Sequence, residues 1–170
     1  MKTTPRISNR PSFSIQEMTK IALIAALYFA VTGFLAPFSF GALQLRLSEM
    51  FNYLALFHRR YVLAVTLGVI FANFLSPIWL IDVPVGTFHT FISLIVSLAI
   101  TKRMDNLIMK MVVMALVFSF SMFIIAGQLY FVMDFPFLLT WLSTGVSELF
   151  SMAVGGVIIY LISQKIDLTK

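Results

Sequence analysis

The sequence predicts an all-α membrane protein, a six-transmembrane-helix bundle with both termini cytoplasmic. Three observations predict it. Of 170 residues, 60% are apolar and 11% charged, with a mean hydropathy of +0.98; a soluble domain averages about 45–50% and about 25%. The apolar residues gather into six runs, each near the ~17–25 residues that a bilayer crossing needs. The basic residues fall almost entirely on one side of the resulting layout.

Residues 1–14 form a polar, basic leader with Lys2, Arg6 and Arg10, and Lys20 follows it. The first apolar run extends from Ile21 to about Pro37. It is longer than the ~7–15 apolar residues of a signal peptide and lacks a small-x-small cleavage site, so it reads as a retained span. Ser14 and Glu17 form a capping-box pattern, which starts the helix near Ile15.

Turn signals at Pro37 and Gly41 precede the second run, Ala42 to Phe57, which carries Arg46, Glu49 and Asn52. His58-Arg59-Arg60 ends it, and Tyr61 to about Leu75 forms the third. Ser76 to Pro84 reads as a loop, with the fourth span over Val85 to Thr101. A charged turn, Lys102 to Lys110, leads to a fifth span centred on Met111 to Ala126, and Phe137 to Ser163 is a long sixth. Without a linker or repeat, residues 1–170 read as a single membrane domain with its helices within about 15–163.

Six crossings place the leader, Arg59, Arg60, Lys102, Arg103, Lys110, Lys165 and Lys170 on one side. The opposite loops, around Gly41, Asp82 and Asp134, carry no Lys or Arg. By the positive-inside rule the basic side is cytoplasmic, and five or seven spans would scramble the segregation. The net charge of +5 is therefore a topology signal and a contact for anionic head groups rather than a nucleic-acid footprint. With no cysteine, disulfides and thiolate metal sites are excluded.

A charge at the centre of a spanning helix costs about 2.5–3.5 kcal/mol on insertion scales, so such residues persist where they face a cavity or a partner. Arg46, Glu49 and Glu148 stand out. Arg46 and Glu49 share a helix face that Asn52 and Tyr53 extend. An internal ion pair would use Arg46 and Glu49 but leave Glu148 unexplained; one Arg against two carboxylates points instead to a cationic or donor-rich ligand. Asn73 and the loop residue Asp82 join Arg46 in the outer half. Gly86, Thr90, Ser93 and Ser97 form a small polar stripe on the fourth helix, a cavity wall or a close helix contact.

His89, without a Cys/His cluster, reads as a hydrogen-bonded histidine rather than a metal ligand, and no metal is expected. Aromatic residues, among them Phe34, Phe38, Phe40, Trp79, Tyr130 and Trp141, crowd the outer ends as an interfacial belt. A ring such as Trp79 or Phe88 is suited to stack on a planar ligand. Ala22, Ala26 and Ala30 make a small-residue ridge on the first span. There is no nucleotide-binding G-x-x-x-x-G-K-[ST] loop, G-x-S-x-G elbow or H-E-x-x-H motif, and no catalytic residue is expected. A passive binding and translocation subunit fits better than an enzyme.

On these residues the chain resembles the substrate-binding (S) components of energy-coupling factor (ECF) transporters, six-helix proteins whose first helix docks on a coupling subunit through an A-x-x-x-A ridge. Ala22-Leu-Ile-Ala-Ala26 occupies the matching place. Within that group it is similar to the queuosine-precursor (QueT) family. Arg46-Leu47-Ser48-Glu49, Leu67 to Asn73, Asp82 to Thr87 and the Glu148 region carry that similarity. The resemblance implies a 7-deazaguanine ligand, 7-aminomethyl-7-deazaguanine or queuine. It also implies no cofactor in this chain, ATP hydrolysis by two partner ATPases, a membrane-embedded coupling (T) subunit, and residence in a prokaryotic plasma membrane. Glu49 or Glu148 would accept the guanine-like donor pair, Arg46 or Asn73 would meet the carbonyl, and Asp82 or the other Glu an ammonium group. Another vitamin-like ligand, or a stand-alone proton-coupled transporter using Glu49 or Glu148, are the alternatives.

Overall fold

The computed structural model describes residues 14–40 and 45–169. Lys2, Arg6, Arg10, the Gly41 turn, the start of the second run at Ala42, the Phe38 side chain and Lys170 lie outside that description. The described regular structure is entirely helical. Helix α1 (Ile15–Phe34) begins at the expected capping box: the Ser14 N–H donates to Glu17 Oε2 at 3.1 Å and the Glu17 N–H to Ser14 Oγ at 3.2 Å. A single further turn, α2 (Ala36–Ser39), follows, with Pro37 in the first turn where its missing N–H is harmless.

The second predicted span is not an α-helix of membrane length. It is a 3₁₀ segment, Leu47–Leu56, with Arg46 extended at its N-terminus. Ten residues at about 2.0 Å each reach roughly 20 Å, short of the ~30 Å hydrocarbon core. Its Ser48, Glu49, Phe51, Asn52, Tyr53, Leu54 and Ala55 are all buried. Backbone that departs from the α-helix is tolerated at membrane depth when protein surrounds it; here α1, α3 and above all α7 do so. Helix α3 (Arg60–Asn73) is also short, at 14 residues.

Helix α4 (Trp79–Thr101) starts before the predicted Val85, with Pro84 inside it, so the expected Ser76–Pro84 loop shrinks to a tight turn. The reason is a side-chain link across the turn. Ser76 Oγ accepts from the Ile78 N–H at 3.1 Å and donates to Asp82, which lies buried in the first turn of α4 rather than solvated in a loop.

The fifth run is interrupted at Met122, giving α5 (Leu107–Ser121) and α6 (Phe123–Met133), and extends past the predicted Ala126. The interruption falls where Ser121 Oγ turns back to the Phe118 carbonyl, at 2.9 Å, a contact that competes with the helical ladder. Asp134, at φ 55°, ends α6 in the left-handed region that Asp tolerates better than most residues. Helix α7 (Phe137–Ser163) has the predicted limits.

Among the described residues four stretches are long and apolar enough to cross a bilayer unaided: Ile15–Phe34, Trp79–Thr101, Leu107–Met133 and Phe137–Ser163. The chain is a multi-pass membrane protein. Helix α1 packs on α3, α3 on α4, α4 on α5, and α7 on α5, α6 and the 3₁₀ segment. Tyr28, Phe51, Tyr53, Val65, Leu94, Met114, Phe118 and Met152 fill the main core.

Glycines permit the closest approaches. A Cβ on Gly155 of α7 would collide with Met50, and one on Gly68 of α3 would lie 2.7 Å from Tyr28 Cβ. Gly68→Ala is therefore expected to push α1 from α3 and destabilise the fold by about 1–3 kcal/mol, as over-packed cores do. A lowered thermal unfolding midpoint in detergent checks this; an unchanged midpoint contradicts the packing.

Candidate functional site

A 3₁₀ helix has three residues per turn, so side chains at i and i+3 eclipse. Glu49 and Asn52 accordingly share one edge, with Arg46 extended just before it, and Asn52 Nδ2 donates to Glu49 Oε2 at 2.5 Å. Tyr53 leaves that edge, contrary to the α-helical expectation: its hydroxyl donates to the Met152 carbonyl of α7 at 3.1 Å. The other Glu49 oxygen, Oε1, accepts from the Tyr28 hydroxyl at 2.7 Å. Thr32 and Ser48 are joined one turn along at 2.7 Å, and the Thr32 hydroxyl also donates to the Tyr28 carbonyl at 2.9 Å. Both oxygens of the Glu49 carboxylate, 4% exposed, are thus fixed by donors from α1 and its own segment.

Glu148 comes from the middle of α7 and is 2% exposed. It interacts electrostatically with Glu49 and Arg46, which places all three groups around one interior region. Among the described residues Glu148 Oε1 has no hydrogen-bond partner, and Asn52 Oδ1 has none. An unsatisfied buried acceptor costs about 1–3 kcal/mol, more when charged. Two such acceptors beside a braced carboxylate make a site that demands donors. Arg46 is half-buried; its Nε donates to the Ser39 carbonyl at 3.0 Å and its guanidinium lies 5.1 Å from the Phe40 ring centroid. It is held by the α2 end rather than by direct pairing with Glu49, and it also reaches His89 electrostatically.

His89, Ser93 and Ser121 form a buried polar chain: His89 Nε2 meets Ser121 Oγ at 2.9 Å and Ser93 Oγ meets Ser121 Oγ at 2.8 Å. The expected hydrogen-bonded histidine is present, set edge-on to Phe118 at 5.9 Å. Thr90 is buried beside it, as is Ser97, whose hydroxyl lacks a described partner.

Asn73, Asp82 and Gly86 belong to a second knot. Asn73 Nδ2 donates to the Asp82 carbonyl at 2.9 Å, and a Cβ on Gly86 would collide with that amide. The Asp82 carboxylate accepts from Ser76 and from Gln128 of α6, so both its oxygens are occupied within the protein. Asn73 Oδ1 and Gln128 Oε1 have no partner among the described residues. Trp79 and Phe88 are exposed, Trp79 stacking on Phe74 at 5.6 Å, so neither ring joins the buried groups.

Four contributors were not singled out from sequence: Tyr28, Thr32, Ser121 and Gln128. A Gln within an apolar run is a legible signal, because its amide needs partners in lipid. Tyr28 is not, because a tyrosine counts equally well as apolar bulk until its hydroxyl is located. Among the described residues no group of three or more His, Cys, Asp or Glu is arranged to hold a metal ion.

A family model described as "QueT transporter" matches residues 18–165, a stretch that contains every buried polar group just described. The chain belongs to the QueT transporter family. A QueT relative, the "Queuosine precursor transporter QueT" of Lactococcus lactis subsp. cremoris (strain MG1363), is 36% identical over 163 residues, covering 91% of this chain and 96% of that protein. No solved structure matches. The matched stretch includes both donors to Glu49, Tyr28 and Asn52, as well as Glu148.

Removing the Tyr28 hydroxyl strands one oxygen of a buried carboxylate. Tyr28→Phe is expected to cost about 1–3 kcal/mol, and the loss should shrink when Glu49→Gln is already present, since the two residues share one interaction. A double-mutant cycle on thermal stability in detergent measures the coupling; additive losses would show that the hydrogen bond contributes nothing.

Proposed function

We propose that the chain is the substrate-binding subunit of an ATP-driven ECF-type importer that takes up a queuosine precursor, a 7-deazaguanine such as 7-aminomethyl-7-deazaguanine or queuine. The observation that carries this reading is the unpartnered, buried Glu148 Oε1 opposite a Glu49 whose own oxygens are already engaged. A guanine-like edge offers a ring N–H and an exocyclic amine, two donors that one carboxylate accepts together. Of the two glutamates, Glu148 therefore takes the donor pair, with Asn52 Oδ1 as a further acceptor. Glu49 is the braced counter-charge, and Arg46 faces the ligand carbonyl. Thr90 and the Gly86–Asn73 contact shape the neighbouring wall, while Asp82 acts as a brace and Trp79 lies outside.

In this reading α3 and the 3₁₀ segment complete six crossings inside the protein, and both termini are cytoplasmic. Arg59, Arg60, Lys102, Arg103, Lys110 and Lys165 then lie together on the inner side, as the positive-inside rule requires. The membrane is a prokaryotic plasma membrane. The name of the Lactococcus relative, a queuosine precursor transporter, supports the substrate class.

The exposed α1 ridge supports the partner. Ala22, Ala26 and Ala30 face outward, and Ala22 and Ala26 floor a groove of about 790 Å³ with Met18, Phe29, Leu63 and Phe71 on its sides. Small residues at such a surface let another helix approach closely. The coupling subunit docks there, two cytoplasmic ATPases drive the complex, and the loaded subunit topples to release ligand inside.

Glu148→Gln replaces a double acceptor by a group with one acceptor and one donor. It is expected to weaken deazaguanine binding at least tenfold, the loss of one charge-assisted hydrogen bond, in titrations of the folded protein in detergent. A wild-type chain indifferent to every deazapurine would sink the substrate assignment.

Ala26→Leu should leave that titration unchanged and abolish uptake by cells that contain the ATPases. Uptake that persists without ATPases and collapses with the proton gradient would instead identify a stand-alone proton-coupled transporter.

A further inference from the structure

The two adjacent arginines that open α3 have different environments. Arg60 is 9% exposed: its backbone N–H and its Nε both donate to His58 Nδ1, at 3.1 and 2.9 Å, and its Nη2 donates to the Thr169 carbonyl at 3.3 Å. Arg60 is therefore a brace between the start of α3 and the chain end. Because His58 Nδ1 accepts twice, the ring proton sits on Nε2, which remains a donor.

Arg59 is exposed, as is Lys102 at the end of α4. Among the described residues neither side chain has a hydrogen-bond or ion-pair partner. Both line a groove of about 820 Å³, together with His58 and an apolar wall that includes Leu56, Val62 and Ile95. None of its lining residues is acidic. The groove opens where α3 begins and α4 ends, at the level where a membrane helix meets the head groups.

We propose that this groove binds one anionic phospholipid, with the phosphodiester between Arg59, Lys102 and His58 Nε2–H and an acyl chain along Leu56, Val62 and Ile95. Basic pockets between membrane helices attract anionic head groups, each nearby Lys or Arg strengthening the contact about fivefold. The apolar wall argues for a lipid over free phosphate, which would meet the cations and leave the wall uncovered. Arg60 fixes the histidine tautomer, so the site is preset rather than assembled by the ligand. It lies outside the Glu49–Glu148 region and does not depend on which substrate is carried.

Native mass spectrometry of the delipidated full chain, offered equal phosphatidylglycerol and phosphatidylcholine, tests the proposal. The expected result is one phosphatidylglycerol retained in preference, with affinity falling roughly 30-fold in Arg59→Gln/Lys102→Gln, two contributions of about fivefold each. The charge-conserving Arg59→Lys/Lys102→Arg pair and the distant Lys110→Gln should retain it. Equal retention of both lipids by the wild type, or undiminished phosphatidylglycerol on the double Gln variant, overturns the proposal. Displacement by equimolar inorganic phosphate overturns it in favour of a free-anion site. Protection of Lys102 from acylation by assembly with other transporter subunits, and not by phosphatidylglycerol, overturns it in favour of a protein contact.

Discussion

The buried Glu49 carboxylate organises the interior. In lipid a charge cannot be left to solvent, so its two oxygens must be met by protein donors. Tyr28 supplies one from α1 and Asn52 the other from the same edge of the 3₁₀ segment. Three residues per turn eclipse the two side chains, whereas an α-helix would set Asn52 about 60° off the Glu49 edge. The tighter helix has poorer backbone geometry and is kept by its surroundings. Gly155 lets α7 come against Met50, and the Tyr53 hydroxyl is fastened to the Met152 carbonyl.

That arrangement gives the two glutamates unlike states. Glu49 is satisfied inside the protein, whereas Glu148 Oε1 is not. One carboxylate is thus tied into the architecture, and the other keeps an oxygen with no partner among the described residues. The same division runs through the second polar knot. Asp82 is consumed in joining the α3–α4 turn to α6, while Asn73 Oδ1 and Gln128 Oε1 on either side of it keep free acceptors. At the basic end it separates Arg60, a brace, from Arg59, an exposed cation.

Much of this was legible in the chain. The capping box at Ser14 and Glu17 and the limits of α7 follow from local rules that need no tertiary partner. Arg46, Glu49 and Glu148 were conspicuous because ionisable groups are costly in apolar runs. The loop reading of Ser76 to Pro84 failed because Pro84 was taken as a boundary. Pro84, the sixth residue of α4, removes one hydrogen bond near the helix start, and the Ser76–Asp82 contact holds the turn that precedes it. The interruption between Ser121 and Phe123 was missed because nothing in a continuous apolar run marks where a serine will turn back on its own helix.

Composition and order by themselves determined that the chain lives in lipid, where its main α-helices lie and which buried charges need explaining. These are properties of single segments against a uniform solvent, and hydropathy and charge report them directly. Tertiary structure alone decided that the second run is a 3₁₀ segment, that Tyr28 and Asn52 close on Glu49, that Asp82 is internal and that Trp79 is not. Each of those depends on which donor another helix brings within about 3 Å, and no local pattern encodes that distance.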